Sequence, residues 1–170
     1  GETASLFEWF ERVVNPAGKV IGREEMRIGT ELKAVEMLRS GITTVNDMTC
    51  HRNLGASVAP GAVDGLAAMG MRGIVSFGAE NAYEGAPPTD AFMAEHYELA
   101  ERIEPEPLID FRLGVGTVLG IGDELFEQTV AAGRERGWGV HTHLPEVREE
   151  ITEARLRFGH GTIEESEISG

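Results

Sequence analysis

A local pattern that recurs along the chain restricts its fold more than any other feature: a helical segment ends at a glycine, and a β-branched or apolar run follows. The first instance is a helix predicted over residues 31–39, followed by Gly41 and the β-branched run at 42–45. Glycine suits the left-handed conformation that ends many helices, and β-branched residues favour strands. The sequence therefore predicts a helix, a glycine cap and a strand in direct succession.

The same succession repeats along the rest of the chain. The predicted helices, each with the strand after it, lie at residues 61–70 and 74–77, 90–103 and 111–115, and 123–136 and 140–143. Asp123 is expected to cap its helix, and a last helix is expected to begin near Pro145. Four strands that alternate with helices, spaced roughly 30 residues apart, indicate the repeating unit of a parallel sheet.

Two architectures of parallel strands are compatible with this pattern, an open doubly wound sheet and a barrel. The open sheet normally carries a glycine-rich phosphate loop after its first strand, and neither GxGxxG nor GxxxxGK[ST] occurs at such a junction. The glycines of GVGTVLGIG, residues 114–122, have no basic residue beside them and indicate a tight turn and close packing. Because a complete barrel takes about 250 residues, the sequence predicts an α/β fold with one partial (β/α)8 TIM-type barrel domain over residues 1–170.

Charge and composition exclude several kinds of partner. The net charge of −14 argues against nucleic acid and against an anionic membrane surface, because both require a basic protein surface. No apolar run approaches the length of a membrane span. Cys50 is the single cysteine, so an internal disulfide cannot form. We expect it to be a buried small side chain in a cytoplasmic protein.

Polar side chains follow the predicted strands. Asp47 comes after the first strand, Glu80 and Asn81 come after the second, and His143 and Glu146 end the fourth. Right-handed crossovers bring the carboxyl ends of all the strands to one side, where the chemistry of such folds collects. The sequence therefore predicts a site for a small molecule at this edge.

The motif HTHLPE, residues 141–146, leaves several interpretations open. Residues two apart on a strand face one side, so His141 and His143 both point into the barrel if either does. Imidazole is a common ligand of zinc or iron, and Glu146 can move a proton between water and a substrate nitrogen without binding the metal. Alternatively, both histidines are satisfied polar residues of the interior. An all-β cupin site uses a similar motif, but the flanking helices argue against it.

Two further residues are candidates for the site. Asp47 can bind substrate or hold a neighbouring histidine, and it can equally do no more than cap a turn. His51, four residues further along in a loop, can line a pocket. His96 and His160 are expected to take no part.

Two segments resemble the amidohydrolase superfamily, in particular its chlorohydrolase and aminohydrolase members, which include several deaminases of nitrogen heterocycles and the triazine hydrolases. EMLRSGITTVNDM, residues 36–48, is similar to the second-strand segment of those barrels. Residues 114–146 are similar to the fourth strand, the next helix and the fifth strand. The resemblance extends over about residues 20–155 and implies an internal piece of a barrel, roughly strands two to five.

The resemblance implies a separate role for each residue of the motif. His143 corresponds to a metal ligand, Glu146 to the glutamate that transfers a proton to the substrate ring, and His141 to a residue that is normally not a ligand. The family's metal site also needs an HxH pair on the first strand, a histidine after the sixth strand and an aspartate after the eighth. The one HxH of this sequence belongs to the fifth strand. The implied cofactor, zinc or iron, is therefore expected only in the complete enzyme.

Two functions follow as hypotheses. The first is a piece of a metal-dependent hydrolase of non-peptide C–N bonds that deaminates a nitrogen heterocycle, with Asp47, His51 and His141 as substrate-binding residues. Such a piece is expected to bind metal poorly and to be inactive alone. The second is a non-catalytic module that oligomerises or binds a partner, because a partial barrel has two unpaired sheet edges. The expected assembly is a homo-oligomer.

Overall fold

The structure is a computed structural model that describes residues 6–117, 119–144 and 148–159 of the 170-residue chain. The helices are α1 (Leu6–Trp9), α2 (Asn15–Gly18), α3 (Arg23–Arg39), α4 (Val58–Ala68), α5 (Thr89–Ile103), α6 (Asp123–Arg136) and α7 (Arg148–Phe158), with a π-helical turn at Phe10–Val14. The strands are β1 (Thr44–Thr49), β2 (Arg72–Ala79), β3 (Ile109–Phe111), β4 (Leu113–Thr117) and β5 (Val140–His143).

The five strands form one parallel sheet in the order β1-β2-β4-β5, with β3 paired to β2 just ahead of β4. The β1 and β2 strands pair from Thr44 opposite Arg72 to Thr49 opposite Phe77. β1 lies beside β2, β2 beside both β3 and β4, and β4 beside β5, and the helices α4, α5 and α6 make the crossovers. This is a half-barrel, so the predicted partial α/β barrel is confirmed.

Glycines end the helices as the sequence pattern predicts. Left-handed φ angles occur at Gly41 (84°), Gly70 (61°) and Gly137 (70°), which follow α3, α4 and α6. The first strand starts at Thr44 instead of at residue 42, because the N–H of Ile42 still donates to the carbonyl oxygen of Met37 in α3 and pairing with β2 begins at Thr44. The predicted third strand is divided at Arg112 into β3 and β4.

Two local predictions need correction. Asp123 is the first residue of α6 and not its cap, because Gly122 is the N-cap residue and no side chain caps the helix. The N–H of Gly122 instead donates a hydrogen bond to Oδ1 of Asn81 at 2.7 Å. Asp47 lies inside β1 and does not follow the strand. The predicted start of the last helix at Pro145 lies outside the described residues.

The core lies between β2 and the helices α4 and α5. The rings of Phe77 and Phe92 stack with centroids 6.4 Å apart, and both side chains are fully buried. Asp64 of α4 accepts hydrogen bonds from Arg23 of α3 at 2.7 Å and from Arg102 of α5 at 2.8 Å. This carboxylate therefore joins three consecutive helices outside the sheet.

Two glycines of α4 set how closely this helix approaches α3. A Cβ atom at Gly61 would lie 2.3 Å from the carbonyl oxygen of Arg23, and one at Gly65 would lie 2.7 Å from Cβ of Thr30. Neither contact is sterically possible, so the observed packing requires glycine at both positions.

The variant Gly61→Ala is expected to lower the free energy of unfolding by about 1–3 kcal/mol, because the two helices must separate to admit the methyl group. Gly29→Ala is the matched control, since a Cβ atom at Gly29 of α3 meets nothing within 4 Å. Its higher helix propensity is expected to stabilise the protein by up to about 1 kcal/mol. Urea denaturation measures both variants, and equal effects would contradict this account of the packing.

One side of α3 is apolar and exposed. Ile28 is 52% exposed and Leu32 is 60% exposed, and Val35 and Leu38 continue the same stripe.

The described part of the chain contains no helix long and apolar enough to cross a membrane.

Candidate active site

The central strand β2 separates two environments. Phe77 packs on Phe92 and His96 of α5 and so faces the helix layer. Successive residues of a strand point to opposite faces, so Ser76 points to the inner face of the half-barrel. There it meets His141 of β5.

Ser76, Asp47 and His141 form a hydrogen-bonded cluster that joins three strands. The hydroxyl of Ser76 lies 2.9 Å from Nδ1 of His141, and it donates to the backbone carbonyl oxygen of Asp47 at 3.0 Å. The carboxylate of Asp47 accepts a hydrogen bond from the hydroxyl of Thr49 at 2.9 Å. Ser76 is fully buried, so its two hydrogen bonds are a fixed part of the inner face. Asp47 lies opposite Val75, two residues before Phe77, so its carboxylate points towards the helix layer and only its backbone carbonyl meets Ser76.

Burial controls the protonation of both titratable groups in this cluster. Desolvation raises the pKa of Asp47, and the hydrogen bond from Thr49 and the nearby His141 partly oppose that shift. Desolvation lowers the pKa of His141, and repulsion from His143 lowers it further, whereas Asp47 acts in the opposite direction. A neutral imidazole at position 141 follows at neutral pH.

His143 ends β5 with an exposed side chain, opposite Thr117 of β4. Its ring centroid lies 5.7 Å from that of His141, at an interplanar angle of 32°. The two imidazoles therefore face the same side, as the HxH spacing predicts.

The described residues do not by themselves fit a resident metal ion. A stable zinc site has either four protein ligands, or three protein ligands and a water molecule. Within residues 6–117, 119–144 and 148–159, no three His, Cys, Asp or Glu side chains lie where they could hold one ion together. His143 offers one imidazole, so further ligands would have to come from other parts of the protein. Glu146, the predicted proton carrier, lies outside the described residues.

His51 is not brought to the Ser76 cluster. Its side chain is buried in the helix layer, with its ring centroid 4.7 Å from that of Phe77 and its Nε2 atom 3.7 Å from Oε2 of Glu95. Burial lowers the pKa of His51 to about 4. Its predicted role in substrate binding therefore stays a prediction that these contacts do not support.

Reasoning from the sequence did not predict the hydrogen bonds of Ser76 or the glycines that pack against Glu80. A Cβ atom at Gly116 would lie 2.3 Å from Oε1 of Glu80, and one at Gly120 would lie 2.5 Å from the same atom. The glycine-rich segment 114–122 therefore makes room for a carboxylate, which gives the predicted close packing a specific partner. Ser76 was detectable as the one polar residue in the buried run IVSF.

The prediction that Cys50 is buried is wrong. The side chain is exposed and not buried, because position 50 comes directly after the last residue of β1, where the chain leaves the sheet.

Comparisons with known proteins assign the chain to a family. Residues 4–170 match the amidohydrolase family, and the chain belongs to that family. The 5-methylthioadenosine/S-adenosylhomocysteine deaminase of Syntrophomonas wolfei is 27% identical over 168 residues, which is 97% of this chain and 36% of the relative. The resemblance found at residues 36–48 and 114–146 is thereby confirmed.

Solved structures show the same fold. An adenosine deaminase from Xanthomonas campestris with bound zinc superposes with a TM-score of 0.85 at 24% identity, covering 98% of this chain and 37% of that chain. Atrazine chlorohydrolase from Arthrobacter aurescens, complexed with zinc, gives a TM-score of 0.83 at 20% identity, covering 98% and 41%. The chain thus spans between 36% and 41% of the length of these proteins.

Proposed function

We propose that the chain forms one side of the active site of a metal-dependent hydrolase that removes an amino group from a nitrogen heterocycle. The observation that carries this proposal is the position of His141 and His143 together at the carboxyl end of a parallel half-barrel of the amidohydrolase family. Deaminases among the relatives, whose names refer to adenosine derivatives, support a heterocyclic small molecule as the substrate.

Each residue of the motif has its own role in this proposal. His143 is the metal ligand that this chain contributes, and its exposed imidazole is free of the Ser76 cluster. Glu146 carries a proton between the attacking water and the substrate ring, a role that requires a carboxylate within hydrogen-bond reach of both. His141 contacts the substrate, Asp47 acts through its backbone carbonyl oxygen on Ser76, and His51 supports the loop beyond β1 from the helix layer.

The remaining metal ligands belong to other parts of the complete enzyme. The bound divalent ion, zinc or iron, would supply Lewis-acid activation there. The 170-residue chain alone is therefore expected to bind zinc weakly and to release no ammonia from adenosine or guanine.

The coding sequence on either side of this segment tests the proposal. We expect an upstream strand with an HxH pair, a downstream histidine and a downstream aspartate in the same reading frame. The complete protein is then expected to release ammonia from a heterocyclic amine, measured with a panel of aminopurines and aminopyrimidines. Stop codons directly at both ends, or a complete protein that binds no metal and deaminates none of the panel, would overturn the proposal.

A second candidate function is assembly through the open side of the half-barrel. Among the described strands, β1 pairs only with β2 and β5 pairs only with β4, so each has one unpaired edge. Unpaired edges are templates for another chain. The exposed apolar stripe of α3, the helix that precedes β1 in the chain, adds surface that a second copy can bury.

Sedimentation of the 170-residue chain tests this assembly. We expect a dimer or a larger homo-oligomer, and we expect Leu32→Lys, in the α3 stripe, to weaken its association at least tenfold. Leu156→Lys is the matched control, because Leu156 is 77% exposed on α7, outside that stripe. A monomer at all concentrations, or equal effects of the two lysines, would overturn the second candidate.

A further inference from the structure

We propose that Ser76 is a positioning residue that holds His141 as its Nδ1–H tautomer, so that Nε2 accepts a hydrogen bond from an N–H group of the substrate. The identity of the ligand rests on the proposed function. The tautomer rests only on the geometry of the two side chains and of the Asp47 carbonyl group.

The direction of the two hydrogen bonds of Ser76 determines the tautomer. A serine hydroxyl has one proton, and a backbone carbonyl can only accept. The hydroxyl of Ser76 donates to the carbonyl oxygen of Asp47 at 3.0 Å. We place the proton of Ser76 on this bond because the carbonyl can only accept, whereas Nδ1 can donate; the 2.9 Å contact with His141 then uses the Nδ1–H of the imidazole as donor and the serine oxygen as acceptor. A neutral ring with a proton on Nδ1 has a free lone pair on Nε2.

The contact requires an open path across the sheet. Ser76 lies in β2 and His141 in β5, and β4 lies between these strands. The β4 residue opposite His141 is Gly114, which also pairs with Gly78 of β2. Because Gly114 has no side chain, no group from β4 at this register separates the imidazole from the hydroxyl.

The polarity of the free ring edge restricts what the site can bind. Ser76 is fully buried and covers the Nδ1 edge, whereas His141 is partly exposed. The accessible edge therefore contains Nε2, a hydrogen-bond acceptor. An exocyclic amino group or a protonated ring nitrogen is complementary to it, and a carbonyl oxygen at the same place is not. At the position of the exocyclic group, the cluster thus favours an amino group over the keto oxygen that replaces it on deamination.

The tautomer is measured from the ¹⁵N NMR shifts of His141 in the 170-residue chain, at a pH above the ordinary histidine pKa. The signals are assigned by their loss in His141→Asn, whose side-chain amide can still donate to Ser76. We expect Nδ1 in the protonated range and Nε2 in the unprotonated range. The opposite assignment would overturn the proposal, and this measurement needs no turnover.

Two variants of the serine test its positioning role. Ser76→Ala is expected to shift His141 towards the Nε2–H tautomer that histidine prefers in water, because the acceptor for Nδ1–H is lost. Ser76→Thr retains the hydroxyl and is expected to retain the Nδ1–H tautomer. A role in packing alone would leave the tautomer unchanged in Ser76→Ala, and that result would overturn the positioning role.

Adenosine and purine riboside, which differ by one amino group, test the substrate contact. Adenosine is expected to move the Nε2 signal of His141, and purine riboside is expected to move it much less. Equal responses, or no response to adenosine, would overturn the substrate contact. A shift with Zn²⁺ alone would make His141 a metal ligand and would also overturn it. Failure of the complete protein to release ammonia would refute the proposed function and leave the tautomer result standing.

Discussion

Replacement of Glu146 by glutamine in the complete protein is expected to lower kcat for deamination by roughly 10²–10⁴-fold, with a much smaller change in KM. Glutamine has nearly the same shape as glutamate, but it cannot take a proton from water and return it to a ring nitrogen. The loss should therefore appear in the chemical step and not in substrate binding. Steady-state ammonia release over a range of substrate concentrations measures both constants.

Glu127→Gln is the matched control for this experiment. Glu127 is exposed on α6, and its substitution removes the same charge from the same half-barrel. We expect its kcat to stay within about twofold of the unaltered protein, as for surface substitutions generally. A Glu146→Gln variant with full kcat would refute the proton-carrying role of Glu146 and leave the metal-ligand role of His143 open to a separate test.

Replacement of His96 by leucine is expected to stabilise the protein by about 1–3 kcal/mol at neutral pH, because neither ring nitrogen of this buried side chain has a hydrogen-bond partner among the described residues. Leucine removes the desolvated polar atoms while keeping an apolar side chain against Phe77. Chemical denaturation at neutral pH measures the change.

The same substitution should also reduce acid sensitivity. Burial lowers the pKa of His96 to about 4, from an ordinary value of 6.5. Between these pH values the unfolded chain binds a proton that the folded chain does not. The free energy of unfolding therefore has its full value above about pH 6.5 and falls as the pH decreases towards 4. The decrease in the free energy of unfolding that His96 causes over this pH range is at most about 3 kcal/mol.

His96 is a cleaner test of this effect than His51. Burial lowers the pKa of His51 and raises the pKa of Glu95, 3.7 Å away, so proton uptake by the glutamate in the folded state offsets part of the loss. Leu99→Met, a volume-conserving change on the same helix, is the control and should retain the pH dependence of the unaltered chain. If the free energy of unfolding of His96→Leu still depended on pH as in the unaltered chain, the acid sensitivity would not come from His96.

The sequence predicts this fold well where its signals are local. The bounds of α6 and β5 agree with the prediction, because an acidic first turn, a terminal glycine and a β-branched start mark them directly. The first strand is displaced because residues 42 and 43 favour a strand but belong to the connection from α3, where the N–H of Ile42 donates back to Met37. Propensity cannot tell these two uses apart.

The candidate site is less accessible to such reasoning, because its contacts join residues far apart in sequence. The motif at residues 141–146 indicates His143 and Glu146, and the HxH spacing correctly puts two imidazoles on one side. The partner of His141 is Ser76, 65 residues earlier, and no local pattern connects them. The orientation of His51 towards Glu95 likewise depends on how a loop folds over α5.

The strand order has a consequence for the use of this segment in protein engineering. Because the strands follow one another across the sheet in chain order, with the short β3 paired to β2, the segment is a contiguous block in which β1 and β5 have the outer edges. A block of this kind can be exchanged between homologous barrels with only two new strand interfaces. The carboxyl ends of the block would carry their side chains into the host as a set, so recombination at its two outer edges would change all of these side chains in a single step.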